Sequence, residues 1–399
     1  MLNQIQGYDS SLLPEGVRSN FADNSNGLRV HYLEAGYGSG DRPCLLLLHG
    51  FPEIAYSWRK IMPSLAAAGY HVVAPDMRGY GRTTGWSEGF EVDLREFSML
   101  NIVRDAVGLL YAIGHKSVAA VIGHDYGSPA AAWCATVRPD VFKRLVMMSA
   151  PFGGAPDLPF DTQTSPVTPN SASITINDQL ALLSEPRKHY QWYYSTPSAN
   201  ENMWHASQGL RSFLRAYYHH KSADWLDNKP YRLTAWTAEE LAKLPTYYIM
   251  DLHKGMAETV ADEMPSQLQI QECEWLSEEE LSVYVGEYQR TGFQGGLNWY
   301  RCGTENIELN ALQTFADRRI EVPSLFLSGA SDWGTYQRPH FAERMRNEIC
   351  TNMVGFHLIE GAGHWVQQEQ HAAVSEYLLE FLRETQSDRN ANANSRVSQ

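Results

Sequence analysis

The 399 residues carry 32 Lys and Arg against 46 Asp and Glu, a formal net charge of -14, which disfavours nucleic acid and anionic membrane surfaces as partners. Five cysteines, at 44, 134, 273, 302 and 350, are odd in number and include no C-x-x-C pair, so neither a disulfide framework nor a zinc knuckle is indicated. The N-terminus has no basic segment followed by an apolar one, and no apolar run approaches the ~18 residues of a membrane span, so a soluble, cytoplasmic protein is expected.

After a polar lead-in, residues 28–34 (L-R-V-H-Y-L-E) alternate as an edge strand does, and the Gly-rich stretch 36–41 turns the chain. Residues 44–48 (C-L-L-L-L) and 71–75 (H-V-V-A-P) are continuous apolar runs. They are too short for helices and suit strands covered on both faces, as in a parallel sheet. Helix-spaced apolar positions at 56–68 lie between them, which is β-α-β spacing. A helical pattern at 94–113 leads into a strand at 118–122, a helix from 127 and a strand at 144–149.

From 151 the chain becomes rich in Pro, Gly, Ser and Thr and reads as a loop to about 174. Residues 174–312 are helical in period and rich in aromatics, among them Trp192, Tyr193, Tyr194, Trp204, Tyr217 and Tyr218. For most of these, packing within a helical lid is sufficient explanation. The sheet resumes at 323–328, with a last strand at 355–359 and a helix at 371–383. The expected fold is α/β, a mostly parallel central sheet flanked by helices. Its core is in two parts, 1–150 and 319–385, with a mainly helical cap at 151–318 inserted between them, and 386–399, poor in apolar residues, forms a flexible tail.

Residues 121–128, V-I-G-H-D-Y-G-S, place Asp125 between a buried strand and an Ala-rich helix. In a G-x-nucleophile-x-G elbow the glycines are needed because the strand and helix backbones come too close for side chains. An isolated G-x-D-x-G is more often a simple turn, so the reading depends on partners. An aspartate nucleophile suits attack on a saturated carbon. The alkyl ester that results can be hydrolysed at the Asp carbonyl, whereas a serine would be left as a stable ether.

Two late segments supply the partners. G-A-S-D-W at 329–333 places Asp332 after a buried strand, and G-A-G-H-W at 361–365 presents His364 after the last one. Catalytic groups of open α/β sheets collect at the carboxyl ends of strands, where all three fall. H-G-F-P-E at 49–53 follows the first buried strand, and the N-H groups of Phe51 and Tyr126 are the expected oxyanion donors. His49 is expected to be a structural hydrogen bonder.

Together H-G-F-P-E, D-M-R-G-Y-G at 76–81, G-H-D-Y-G-S at 123–128 and G-A-G-H-W resemble the epoxide hydrolase branch of the α/β-hydrolase superfamily. The order nucleophile, acid, histidine is the one used there. In the cap, H-Y-Q-W-Y at 189–193 and G-F-Q-G-G-L-N-W-Y-R at 292–301 are similar to the segments bearing the two lid tyrosines of soluble epoxide hydrolases. That similarity implies Tyr190 and Tyr300 as donors to an epoxide oxygen, with Pro52, Gln191, Trp192, Trp299 and Trp365 in the pocket wall. It also implies a small hydrophobic epoxide as substrate and no cofactor or metal, and it is compatible with a homodimer. The resemblance covers most of 28–382 in outline, but the cap from 208 to 272 departs from the mammalian soluble enzyme and is longer. Tyr126 stands where tryptophan is common.

Two kinds of dehalogenase and two further alternatives share these motifs. Haloalkane dehalogenases usually carry Asn at the Phe51 position and Trp at the Tyr126 position, and fluoroacetate-type enzymes carry Arg at the latter, so both fit less well. A biosynthetic enzyme could use the same groups to open an epoxide with an internal nucleophile. A noncatalytic ligand-binding protein could reuse the fold.

Overall fold

The computed structural model describes residues 5–24, 26–38, 42–158 and 174–397, with side chains as far as residue 386. Its centre is an eight-stranded sheet. In chain order the strands are β1 (Val17–Asp23), β2 (Arg29–Ala35), β3 (Cys44–Leu48), β4 (His71–Pro75), β5 (Ala120–His124) and β6 (Leu145–Met148). A small antiparallel pair follows, β7 (Arg187–His189) with β8 (Ile249–Asp251), and then β9 (Ser324–Gly329) and β10 (Met353–Ile359).

The sheet order is β1-β2-β4-β3-β5-β6-β9-β10. β2 runs antiparallel to both neighbours, and every pairing from β4 to β10 is parallel. Every residue of β3, β5, β6 and β9 is buried. The near-unbroken apolar runs of these strands therefore reflect helices on both faces of a parallel sheet.

Helix α1 (Gly127–Val137) packs against β5 and β6. The cap enters the chain between β6 and β9. Its larger helices are α2 (Leu210–Lys221), α3 (Glu278–Thr291) and α4 (Gln294–Thr304). The expected loop at 151–174 falls largely on residues outside those described. No helix among the described residues is long and apolar enough to cross a membrane.

Several elements differ from the sequence expectation, each for a physical reason. β1 lies in the stretch read as a polar lead-in. As an edge strand with one fully buried residue, Val17, it has almost no apolar alternation to betray it. The helical pattern at 94–113 breaks at Ser98, whose extended ψ of 151° caps the helix Met99–Ala112. β5 begins two residues later than expected, because Val118 makes only an isolated bridge to Phe142. The last helix runs His371–Val397, so helical backbone continues into the segment expected to be a tail.

The turn from β5 into α1 accounts for both glycines of the motif. A Cβ on Gly123 would lie 1.9 Å from the Gly127 carbonyl oxygen, and one on Gly127 would lie 2.1 Å from that of Leu48. Both obstacles are main chain and cannot rotate away. Between these glycines Asp125 takes a φ of 51°, a left-handed conformation that aspartate tolerates better than most residues. Gly123→Ala should destabilise the protein by about 4 kcal/mol or prevent folding, measured as a lowered urea midpoint. A midpoint within experimental error of wild type would contradict this packing.

Candidate active site

Asp125 follows β5 directly, and its carboxylate is gripped from two sides. Oδ1 accepts the Phe51 N-H at 2.8 Å, and Oδ2 lies 3.1 Å from His364 Nε2. The other ring nitrogen of His364, Nδ1, lies 3.1 Å from Asp332 Oδ1. Asp332 is fixed in turn by the Gly334 N-H at 2.7 Å and the Ser328 hydroxyl at 3.0 Å. The three residues come from loops after β5, β9 and β10, the first two buried strands and the third the edge of the sheet. Close approach is again required: a Cβ on Gly50 would sit 2.4 Å from Asp125 Oδ1.

Burial alone would raise the Asp125 pKa. The hydrogen bond and charge of His364, with the charges of Lys221 and His124, reverse this and hold the carboxyl well below its ordinary value. Asp332 is also held low against burial, chiefly by His364 and the Gly334 amide. The Tyr126 amide, beside Asp125, donates to no acceptor among the described residues.

A cavity of about 250 Å³ lies over the carboxylate, lined by Asp125, Tyr126, Tyr190, Gln191, Tyr300 and Gln337 among others. The Tyr190 and Tyr300 rings meet edge to face, 5.9 Å between centroids. Burial, and next the charge of Asp125, pushes both phenols above their ordinary pKa, so both hydroxyls lie within the field of that carboxylate. The Tyr190 hydroxyl donates to Gln337 Oε1 at 3.2 Å and accepts from Gln191 Nε2 at 3.1 Å. That of Tyr300 has no hydrogen-bond partner among the described residues.

Of the expected wall residues, Gln191 lines this cavity. Trp299, Trp365, Trp192 and Pro52 do not. The indole N-H of Trp299 donates to the Arg78 carbonyl at 3.0 Å, and that of Trp365 to the Tyr218 carbonyl at 2.8 Å. Trp192 packs edge-on to His189, and the Pro52 carbonyl accepts the Tyr218 hydroxyl at 2.7 Å. In α4, Trp299 and Tyr300 are successive residues about 100° apart around the axis, so one faces the core and the other the cavity. His49 is structural: Nδ1 bonds the Gly50 carbonyl at 2.9 Å, and Nε2 accepts the Met77 N-H at 3.0 Å.

Further residues shape the site without a motif to announce them. Gln337 and Arg338 reach the cavity from a loop after β9. Lys221, at the end of α2, is buried, and its carbonyl accepts the His364 N-H at 2.9 Å. The cap segment that departs from the mammalian pattern is therefore packed on the histidine loop. Beneath Asp125, His124 Nδ1 lies 2.6 Å from Glu53 Oε2, and its Nε2 lies 2.7 Å from the His364 carbonyl. Gln367 donates to Glu53 Oε1 at 2.8 Å. Glu53 stands in H-G-F-P-E and His124 in the elbow, so both were in view, but their pairing could not be read from spacing.

Residues 43–370 match the family described as alpha/beta hydrolase fold. An epoxide hydrolase of Caballeronia sordidicola is 30% identical over 90% of this chain and 92% of its own length. Epoxide hydrolase B of Mycobacterium tuberculosis is 31% identical over 90% and 96%. Among solved structures, an epoxide hydrolase from an endophytic Streptomyces superposes with a TM-score of 0.73 at 28% identity, covering 94% of this chain and 97% of that one. Epoxide hydrolase I of potato, Solanum tuberosum, superposes at 0.67 with 30% identity over 92% and 99%. The chain belongs to the α/β-hydrolase fold family and, within it, to the epoxide hydrolases. The expected fold class is borne out.

The His124–Glu53 pair gives the site a pH signature. Burial works against both charges, but each partner's charge prevails: His124 is raised from 6.5 and Glu53 lowered from 4.5. The His124 contribution is complete below its ordinary 6.5 and fades as pH rises through its folded value; that of Glu53 is complete above 4.5 and fades as pH falls through its folded value. Glu53→Gln should therefore cost most, roughly 3 kcal/mol, between about pH 4.5 and 6.5, with a smaller loss on the alkaline side. Thermal midpoints of both proteins across pH 4 to about 9 check this. A difference that grows as pH rises would contradict the charged pair.

Proposed function

We propose that this protein hydrolyses small, largely apolar epoxides to vicinal diols through a covalent ester on Asp125. The observation that carries this reading is the shared cavity: a carboxylate kept ionised and the two lid tyrosines line the same space. Phe51 N-H holds Oδ1, which leaves Oδ2 to attack an epoxide carbon. As the ring carbon–oxygen bond breaks, Tyr190 and Tyr300 donate hydrogen bonds to the developing alkoxide. Their raised pKa values keep both phenols protonated at neutral pH.

Esterification neutralises Asp125 and leaves Asp332 as the carboxylate partner of His364. The Nε2 proton that His364 shared with Asp125 passes to the ring-derived alkoxide, so that neutral Nε2 can take a proton from water, which attacks the Asp125 carbonyl carbon. Negative charge gathers on Oδ1, where Phe51 and Tyr126 N-H groups are the proposed donors. The acyl carbon–oxygen bond breaks, the departing oxygen takes the remaining proton of the attacking water, and the diol leaves with the oxygen that came from Asp125, which is ionised again beside protonated His364. No step in this sequence requires a metal or an organic cofactor.

The cavity, at about 250 Å³, lies just below the range usual for drug-sized ligands, which supports small substrates. The directions of Trp299 and Trp365 count against dehalogenation: both indole N-H groups are given to backbone carbonyls and neither faces the cavity. All five cysteines are free thiols, which supports a cytoplasmic setting.

Tyr190→Phe and Tyr300→Phe should each lower kcat for diol formation by about 10²-fold. The double variant should lose more than either. No halide should be released from chloroalkanes of matching size by the wild type. Diol formation at the wild-type rate by the double variant, or chloride release at a comparable rate, would overturn the reading.

A further inference from the structure

A second cluster of chemically active side chains lies at the other end of the sheet. Cys44 and His71 are the first residues of β3 and β4 and are register partners in a parallel pairing. Their side chains therefore stand side by side on one face. His115, in the loop leading to β5, closes over them, its ring centroid 5.0 Å from that of His71. The Cys44 Sγ and one ring nitrogen from each histidine lie within 4.8 Å of one another. All three residues line a surface cleft with Tyr70, Lys116 and Lys143. Five residues of strand separate this end of β3 from the catalytic end, roughly 17 Å.

The geometry points to a divalent cation site of zinc type, with Cys44, His71 and His115 as ligands and a fourth position open to the cleft. A thiolate with two imidazoles suits Zn²⁺, which takes sulfur at ~2.3 Å and nitrogen at ~2.0 Å in a tetrahedral array. Those bond lengths place neighbouring ligand atoms roughly 3.5 Å apart. His71 Nδ1 and His115 Nε2 are 2.8 Å apart, so modest side-chain rotation opens the space.

The surroundings already orient one ligand. His71 Nε2 lies 2.8 Å from Glu34 Oε2. Burial opposes the charge on Glu34, but hydrogen bonds from His71, Asn20 and Arg18 hold it below the ordinary carboxylate range. Glu34 thus accepts the Nε2 proton and leaves Nδ1 bare, the carboxylate–histidine–metal arrangement that fixes a ligand's tautomer. In the metal-free protein the proton between the two histidines then sits on His115 Nε2. On metal uptake it moves to Nδ1 of the same ring, with no net change.

The Cys44 thiol, raised by burial, gives up its proton to become the thiolate ligand. One proton is released for each metal ion bound at neutral pH. The Cys44 thiolate offsets one of the two charges of zinc, and the Glu34 carboxylate, shared between His71 and Arg18, lies behind the site.

Untagged, chelator-treated protein dialysed against zinc alone should retain one ion per chain. Cobalt should give a thiolate charge-transfer band in the near ultraviolet. Cys44→Ala and His115→Ala should each abolish stoichiometric retention and the band, while Cys273→Ala keeps both. Glu34→Gln should weaken zinc binding by about 10- to 100-fold. Calorimetry in buffers of different ionisation enthalpy should report one proton released per zinc. Unchanged thermal midpoints of the metal-free variants would show that they fold. The site is refuted if folded wild type retains no zinc at micromolar concentrations, or if the Cys44 and His115 variants retain it as wild type does.

Discussion

A carboxylate sealed beneath a cap stays ionised only where other groups replace the water it has lost. Asp125 is in that position, and much of the surrounding architecture serves its charge. The amide of Phe51 reaches it because Gly50 has no side chain, and His364 reaches it from the end of the last strand. Lys221 and His124 add positive charge from the cap and from the sheet. His124 is positive because Glu53 faces it, and Glu53 is the last residue of the motif that also supplies the Phe51 amide. The Asp125 carboxylate, its amide donor and the buried His124–Glu53 pair are therefore one packed unit.

The same unit explains how the cap and core are joined. Gly363 lies so close to the end of α2 that a Cβ there would meet the Ser222 carbonyl carbon at 2.4 Å. The Glu369 carboxylate accepts amides from Ala223 in the cap and from Gly363 and Trp365 in the histidine loop, at 2.8, 2.9 and 2.9 Å. The cap segment that sets this chain apart thus helps to place the histidine. A change of cap here reaches the position of His364 as well as the pocket.

The sequence showed most clearly what depends on local pattern. β3 and β4 were legible to the residue, because strands buried on both faces must be apolar throughout. Asp125 and Asp332 were legible because each follows such a strand, and His364 because it stands between glycine and tryptophan after the last strand, at the sheet edge. β1 was not, since an edge strand needs little apolar sequence. The direction of Trp299 was not either: its neighbour Tyr300 carried the motif, and one helical step separates cavity from core. Lys221, Gln337, Arg338 and the Cys44–His71–His115 cluster arise from residues brought together only by folding, and no spacing within the chain announces them.

The covalent role of Asp125 is tested most directly by the destination of solvent oxygen. After many turnovers of an epoxide in heavy-oxygen water, mass spectrometry of the peptide containing Asp125 should show heavy oxygen in its carboxylate. In a single turnover with excess enzyme, the diol should carry ordinary oxygen. Heavy oxygen in the single-turnover diol, with none in Asp125, would mean that water attacks the epoxide directly and would contradict the account.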